Sequence, residues 1–360
     1  MSRKAHGSFN FSLHTLSFIL LFLLVYPLIP LTLKPGYAQE TFYKGQTIRI
    51  IVGFTPVGFY DRWGRLFARY MGKHIPGNPE IIVQNMPGAS SVIAANHVYN
   101  VAKPDGLTLV MPINTLYLDQ FVGRQEVKYD VRKFQWIGSQ EKIVTMLYAR
   151  ADAPYKSLAD IIKAKEPPKC GATGTASTGY ILPKILEETL GAKFNIVTGY
   201  PGGNEIDIAV ERGEITCRGM DISPHFGREP FDTWHVKGFD RHLVQDQRKK
   251  DPRLSDTPTI HELMDERKTP EASRRTAEVI LASGLFGRAM AVTPGTPPER
   301  VKILREAYVK MMKDPELIAE AKKGRMDMDP TSGEELQALA QQVMDQPKDV
   351  LERVKKILSE

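Results

Sequence analysis

The stretch 48–73, IRIIVGFTPVGFYDRWGRLFARYMGK, constrains the fold of this chain more than any other. Residues 48–52 are an apolar, β-branched run of the kind found in a strand buried inside a parallel sheet. Trp63, Leu66, Phe67, Tyr70 and Met71 then recur at i, i+3, i+4, i+7 and i+8. That is one face of an amphipathic helix, with Arg62, Arg65, Arg69 and Lys73 largely on the other. Between strand and helix, residues 53–61 make a tight loop that carries unpaired backbone N–H groups to the helix start, with Asp61 as the expected N-cap. A helix N-terminus carries about half a positive charge and four orphan donors, so such a loop can cradle an anion. It is equally an ordinary strand–turn–helix joint, and a second loop of the same kind is what favours binding.

That second loop follows a short strand at 80–84. Residues 85–91, NMPGASS, lead into a helix over 92–101, with Ser90 and Ser91 able to cap it or to donate hydroxyls. A third strand at 107–112 ends at Asn114 and Thr115. Three strand C-termini thus carry polar loops, and in open α/β sheets ligands sit at that edge.

At 360 residues the chain has room for about two domains. Its 42% hydrophobic and 25% charged content describes a globular protein. Residues 1–38 are set apart: Arg3 and Lys4 precede an apolar stretch at 16–33, and Gly36-Tyr37-Ala38 offers a small-x-small cleavage site. This reads as a secretory signal cut after Ala38. An uncleaved anchor is the rival, disfavoured by Pro27, Pro30 and the cleavage site. Without Arg3, Lys4 and Lys34 the chain carries 45 basic against 42 acidic side chains. That balance is too weak and too dispersed for a nucleic-acid surface.

From 39–150, the first domain, the chain crosses near Arg150 into a second domain over 151–284. It returns at 285–360 to the first domain and to C-terminal helices. The second domain repeats the pattern. A strand at 169–172 meets the loop 173–179, TGTASTG, and a helix. A strand at 194–198 meets 199–203, GYPGG, and another helix. A strand at 214–217 leads to Asp221-Ile-Ser-Pro224. Residues 226–275 are polar and short of periodicity, which suggests surface loops and short helices. Cys170 and Cys217 are the only cysteines. A disulfide would have to bridge adjacent strands in strict geometry, so the expectation leans to two buried thiols.

Enzyme signatures are missing. Gly171-Ala-Thr-Gly174 has no Gly-Lys-Ser/Thr after it, the dinucleotide glycine spacing is absent, and there is no Gly-x-Ser-x-Gly or His-Glu-x-x-His. His74, His97, His225, His235, His242 and His261 show no metal-ligand spacing and are expected at the surface or in packing. No catalytic residue, metal ligand or cofactor is assigned. What remains is a set of donor-rich, hydroxyl-rich loops suited to holding a carboxylate unchanged. With no obvious pocket arginine, amides and helix dipoles would supply much of the positive potential.

The run Ile48-Arg-Ile-Ile-Val-Gly-Phe-Thr-Pro-x-Gly-x-x-Asp61, then Gln84-Asn-Met-Pro-Gly-Ala89 and Pro104-Asp-Gly106, resembles the Bug-type receptors of tripartite tricarboxylate transporters. Pro154-Tyr-Lys-Ser-Leu158, Tyr200-Pro-Gly-Gly203, Leu254-Ser-Asp-Thr-Pro-Thr259, Thr293-Pro-Gly-Thr-Pro297 and Asp314-Pro-Glu316 follow in the same order. The resemblance implies an α/β, two-lobed periplasmic binding protein of type II-like form, with a hinged cleft between two open sheets. It also implies a monomeric receptor that captures a small carboxylate and delivers it to membrane transporter subunits. The expected ligand-binding residues are Thr55, Gly58, Phe59, Tyr60, Asp61, Ala89, Ser90, Ser91, Asn114 and Thr115 from the first domain. Thr173, Ser177, Thr178, Gly202 and Gly203 would complete the cage from the second. Bulk at Val57, Phe59 and Tyr60, where the family has smaller residues, suggests an acid with an apolar or aromatic body. A secreted partner of a membrane sensor kinase is the alternative reading, and an exported enzyme a more distant one.

Overall fold

Eleven strands sort into two sheets among residues Phe42–Ser359, which a computed structural model describes. The leader expected over residues 1–38 lies outside the described residues. The strands are β1 (Thr47–Val52), β2 (Glu80–Asn85), β3 (Thr108–Met111), β4 (Gln135–Ser139), β5 (Thr145–Arg150), β6 (Lys169–Gly171), β7 (Asn195–Val197), β8 (Cys217–Asp221), β9 (Asp240–Gln245), β10 (Met290–Val292) and β11 (Thr331–Ser332). The first sheet runs β11-β4-β10-β3-β1-β2 and the second β7-β6-β8-β5-β9. In the first sheet β2, β1 and β3 are parallel, and β10 is antiparallel to both its neighbours. In the second, β7, β6 and β8 are parallel while β5 is antiparallel to β8 and β9. Helices cover both sheets, so the inner strands bury both faces. Ile50, Ile51 and Val52 are all within 1% of full burial, which is why the sequence shows an unbroken apolar run there.

The chain leaves the first sheet after Ser139 and enters the second at Thr145. The strand at 145–150, which a boundary at Arg150 gave to the first domain, is therefore part of the second sheet, paired to β8 and β9. Its buried centre, Met146–Ala149, fits either sheet, and only the pairing decides. The return crossing lies beside the outward one: Ile143 N–H donates to Gly284 O at 2.8 Å. Gly287 has φ +56, and a Cβ there would fall 1.8 Å from Glu141 O, so two backbones touch at this point. Residues 226–275 hold more structure than expected. They contribute the edge strand β9 and the helices Ile260–Glu266 and Glu271–Leu281. The Thr259–Glu262 capping box that opens the first of these is a start signal overlooked in that segment.

Cys170 and Cys217 are bonded, against the expectation of free thiols. They are register partners on the parallel neighbours β6 and β8, with Cα atoms 4.5 Å apart and both side chains fully buried.

The helix Phe59–Tyr70 presents the first loop. Its apolar face, Trp63, Leu66 and Phe67, is buried to 2% exposure or less, worth roughly 1.5–3 kcal/mol per side chain. Asp61 is not the N-cap. Gly58 holds that position, and Asp61 sits in the first turn, buried, where it accepts from Val57 N at 2.9 Å, Asn85 Nδ2 at 2.9 Å and Arg65 Nε at 2.8 Å. The far end of this helix is clasped by the helix Pro315–Lys323. Asp314 caps that second helix by accepting from Glu316 N at 3.0 Å, and meets Lys73 at 2.7 Å and His74 at 3.1 Å.

Two outcomes are expected. Peptide mapping without reductant should recover Cys170 and Cys217 in one linked species, and the double change Cys170→Ser/Cys217→Ser should cost roughly 2–4 kcal/mol in urea unfolding. Asp314→Ala should cost about 1 kcal/mol at neutral pH through the lost cap. The Lys73 hydrogen bond holds the Asp314 carboxyl down to about 2, below its ordinary 3.8. A depressed carboxylate stabilises above its unfolded pKa and loses that contribution as pH falls through the folded one. The gap between wild type and Asp314→Ala should therefore shrink between pH 4 and pH 2.

Candidate functional site

Three helices begin at one cavity of about 110 Å³ between the loops of the first sheet and the strand ends of the second. They are Phe59–Tyr70 after Gly58, Thr178–Leu190 after Ser177, and Gly203–Glu211 after Gly202, and none of these N-caps has a side chain bonded to the first-turn amides. Their orphan N–H groups are thus left for a ligand, and the three positive helix ends add at the same place. Of the residues expected to bind a ligand, Thr55, Gly58, Phe59, Tyr60, Thr173, Ser177, Thr178 and Gly203 line the cavity. The aromatic wall is Phe54, Phe59 and Tyr60, with Phe54 and Tyr60 rings 4.7 Å apart. Val57 is 70% exposed and does not take part.

The cavity also holds three arginines that the sequence reading missed: Arg218, Arg228 and Arg288. Arg218 pairs with Asp207 and donates to Gly203 O at 3.1 Å, and Arg228 reaches the other Asp207 oxygen at 2.6 Å. Arg288, 1% exposed, pairs with Glu141 and lies 2.5 Å from Asp221, while Phe59 and Tyr60 stack on its guanidinium at 4.7 and 5.0 Å. The Nε–H groups of Arg228 and Arg288 are buried and have no partner among the described residues. Burial opposes the charge on Arg218 and Arg288, but the adjoining carboxylates outweigh it and keep both protonated. Burial pushes Glu141 up to about 7, against the pull of Arg288. It also raises the Tyr60 hydroxyl well above its usual range, so Tyr60 stays a neutral partner, accepting from Asn114 N at 3.3 Å. One signal was available: Arg218 interrupts the buried strand β8, and Arg288 sits inside the apolar run 286–292.

The other expected residues do different work. Asp61 shapes the first loop from beneath. Ser91 Oγ accepts from Ile113 N at 2.8 Å, and a Cβ on Gly53 would fall 2.1 Å from Ser91 Cβ, so the first two loops press together. Ala89, Ser90 and Ser91 all have positive φ, of 44°, 49° and 73°, a strained run for residues with side chains. Ser90 Oγ bonds Thr173 Oγ1 at 3.1 Å, and a Cβ on Gly174 would fall 2.6 Å from it, so this loop touches the second sheet's loop directly. Thr115 donates to Ala176 O in a similar contact, and Asn114 Nδ2 donates to Ser283 O at 3.2 Å. Gly202 meets Thr55, whose Oγ1 would lie 2.2 Å from an added Cβ. Ala89 instead lines a second groove of about 480 Å³ that shares Thr173 with the first cavity. The loops of the two sheets therefore meet, but Asp61, Ala89, Ser90, Ser91, Asn114, Thr115 and Gly202 support the cavity or lie beside it. A third departure is that His225, His235 and His242, separate in sequence, come together with Asp240.

Comparison with known proteins agrees with this architecture. Residues 65–359 match the family model described as the tripartite tricarboxylate transporter family receptor, TctC. A UPF0065 protein of Bordetella pertussis is 28% identical over 167 residues, 45% of this chain, and the chain spans about half (51%) of that relative's length. Among solved structures, the periplasmic binding protein BugD is similar at 19% identity and TM-score 0.69, over 88% of this chain and 98% of that one. A protein of R. palustris solved with adipate is similar at 19% identity and TM-score 0.66, over 87% of this chain and 97% of that one. With most of its length matched by the family model, the chain belongs to the TctC family of tripartite tricarboxylate transporter receptors.

Proposed function

We propose that this protein is a periplasmic solute-binding receptor that captures an organic carboxylate in the cavity between its two sheets and hands it to the membrane subunits of a tripartite transporter. One observation carries the reading: three uncapped helix N-termini and the guanidinium groups of Arg218, Arg228 and Arg288 converge on a cavity walled by Phe54, Phe59 and Tyr60. The donors suit a carboxylate, since hydrogen bonds to a charged group are worth about 1.5–3 kcal/mol each. The aromatic wall suits an apolar or aromatic body on the acid. The R. palustris protein of similar fold was solved with adipate, an acid with an apolar spacer. Opening would turn about the paired crossings at Ile143 and Gly284, parting Thr55 and Ser90 from Gly202 and Thr173, which touch in this structure.

The reaction class is binding without turnover. The carboxylate that lines the cavity, Asp221, is tied to Arg288 and to the Thr178 hydroxyl.

A thermal-shift panel of mono-, di-, tri- and aromatic carboxylates should find acids that stabilise the folded form. In competition an aromatic or long-chain acid should displace a compact dicarboxylate, and the reverse order would refute the aromatic-wall assignment. Arg228→Gln should weaken the best acid by roughly 10–100-fold in calorimetry while the protein stays folded. Unchanged affinity would remove Arg228 from the site.

A further inference from the structure

We propose that His225, His235, Asp240 and His242 form a binding site for one divalent late first-row metal ion of the Zn²⁺ type, in the second sheet's lobe and apart from the carboxylate cavity. The four side chains come from three elements. His225 lies on the helix Ile222–Gly227, His235 on the helix Phe231–Lys237, and Asp240 and His242 on β9, where a spacing of two puts both on one face. Their ligand atoms converge. His225 Nε2 is 2.9 Å from Nε2 of His235, 2.9 Å from Nε2 of His242 and 2.9 Å from Asp240 Oδ2. Asp240 Oδ2 is also 3.3 Å from His242 Nε2 and 3.6 Å from His235 Nε2. A tetrahedron of ligands about 2.0–2.1 Å from Zn²⁺ has edges of about 3.3 Å, the scale of this cluster.

Hydrogen bonding alone does not account for the arrangement. An imidazole nitrogen carries either one proton or one lone pair, in the ring plane. His225 Nε2 nevertheless faces three polar atoms at one distance, and whichever state it takes leaves two of them unmatched. Asp240 Oδ2 is buried and points into the cluster, with no well-directed hydrogen bond among the described residues although His225 Nε2 lies 2.9 Å away. A cation at the centre satisfies all four atoms at once, and three imidazoles with one carboxylate are a donor set suited to Zn²⁺.

The surroundings fit a structural site. Tyr148, Phe226 and Phe231 pack around the His225 ring at 5.2, 5.2 and 4.5 Å and keep one side dry. His235 and His242 are 24% and 22% exposed, so an ion can reach the cluster from solvent. Four protein ligands leave no position for a reactive water, which assigns the ion a structural role. The ion would pin the helix Ile222–Gly227 to β9, and that helix carries Pro224 of the cavity wall with Arg228 immediately after it.

The test uses the full, tag-free protein stripped with a chelator. Zn²⁺ titrated by calorimetry should bind at one ion per chain and raise the melting temperature, and Co²⁺ should give the visible absorption of a tetrahedral site. His235→Ala and His242→Ala, at partly exposed positions, should each weaken Zn²⁺ by about 100-fold or more, and His261→Ala should not. Asp240→Asn keeps the shape of the side chain and should weaken Zn²⁺ by at least about tenfold, which preserves the test should a truncation unfold the chain. Wild-type protein that takes up no Zn²⁺ at micromolar concentration overturns the proposal. So does binding by the cluster variants equal to wild type, or an equal loss in His261→Ala.

Discussion

The buried guanidinium of Arg288 is the point on which the arrangement of this molecule depends. It follows directly after the return crossing between sheets, where Gly287 allows the backbone to touch Glu141 of the outward crossing. From there it binds Glu141 on the crossing, Asp221 at the end of β8, and the faces of Phe59 and Tyr60 on the first loop. One side chain thus ties together both sheets, both crossings and the cavity wall. Buried ion pairs add little net stability once desolvation is counted, yet removing one partner costs about 3–5 kcal/mol. Arg288 is better understood as fixing where the lobes meet than as strengthening the fold.

The same logic runs through the cavity. Arg218 and Arg228 share the single carboxylate of Asp207, which leaves that side of the cleft with an excess positive charge next to three helix N-termini. A ligand carboxylate would meet donors already held in place, with no long side chain to immobilise. The glycines at the rim matter for a related reason. Gly174 and Gly202 let Ser90 and Thr55 come within contact distance, and any side chain there would hold the two loops apart.

Much of this was legible in the sequence where structure is local. The strand–loop–helix units at 48–73 and 169–190 are recognisable from apolar runs, glycines and helical periodicity, and they place Thr55, Phe59, Thr173 and Ser177 at the cavity. Features set by distant pairing were not. Arg218, Arg228 and Arg288 are far apart in the chain and join only because β8 and the return crossing end at the same place. His225, His235 and His242 follow no ligand spacing known from short motifs, because a helix, a second helix and a strand have to fold together before their nitrogens meet. Cys170 and Cys217 required the register of β6 on β8, which no local pattern states. Ser90 and Ser91 differ for the opposite reason: their hydroxyls suit a ligand, but the loop's left-handed backbone turns them toward Thr173 and Ile113.

The most direct measurement is a crystal structure of the protein with its tightest-binding carboxylic acid. The account predicts the carboxylate at the starts of the helices Thr178–Leu190 and Gly203–Glu211, within hydrogen-bond distance of an Arg228 or Arg288 nitrogen, and the body of the acid against Phe59 and Tyr60. An acid seated instead in the groove beside Ala89 and Tyr200, with the arginine cavity filled only by solvent, would contradict it.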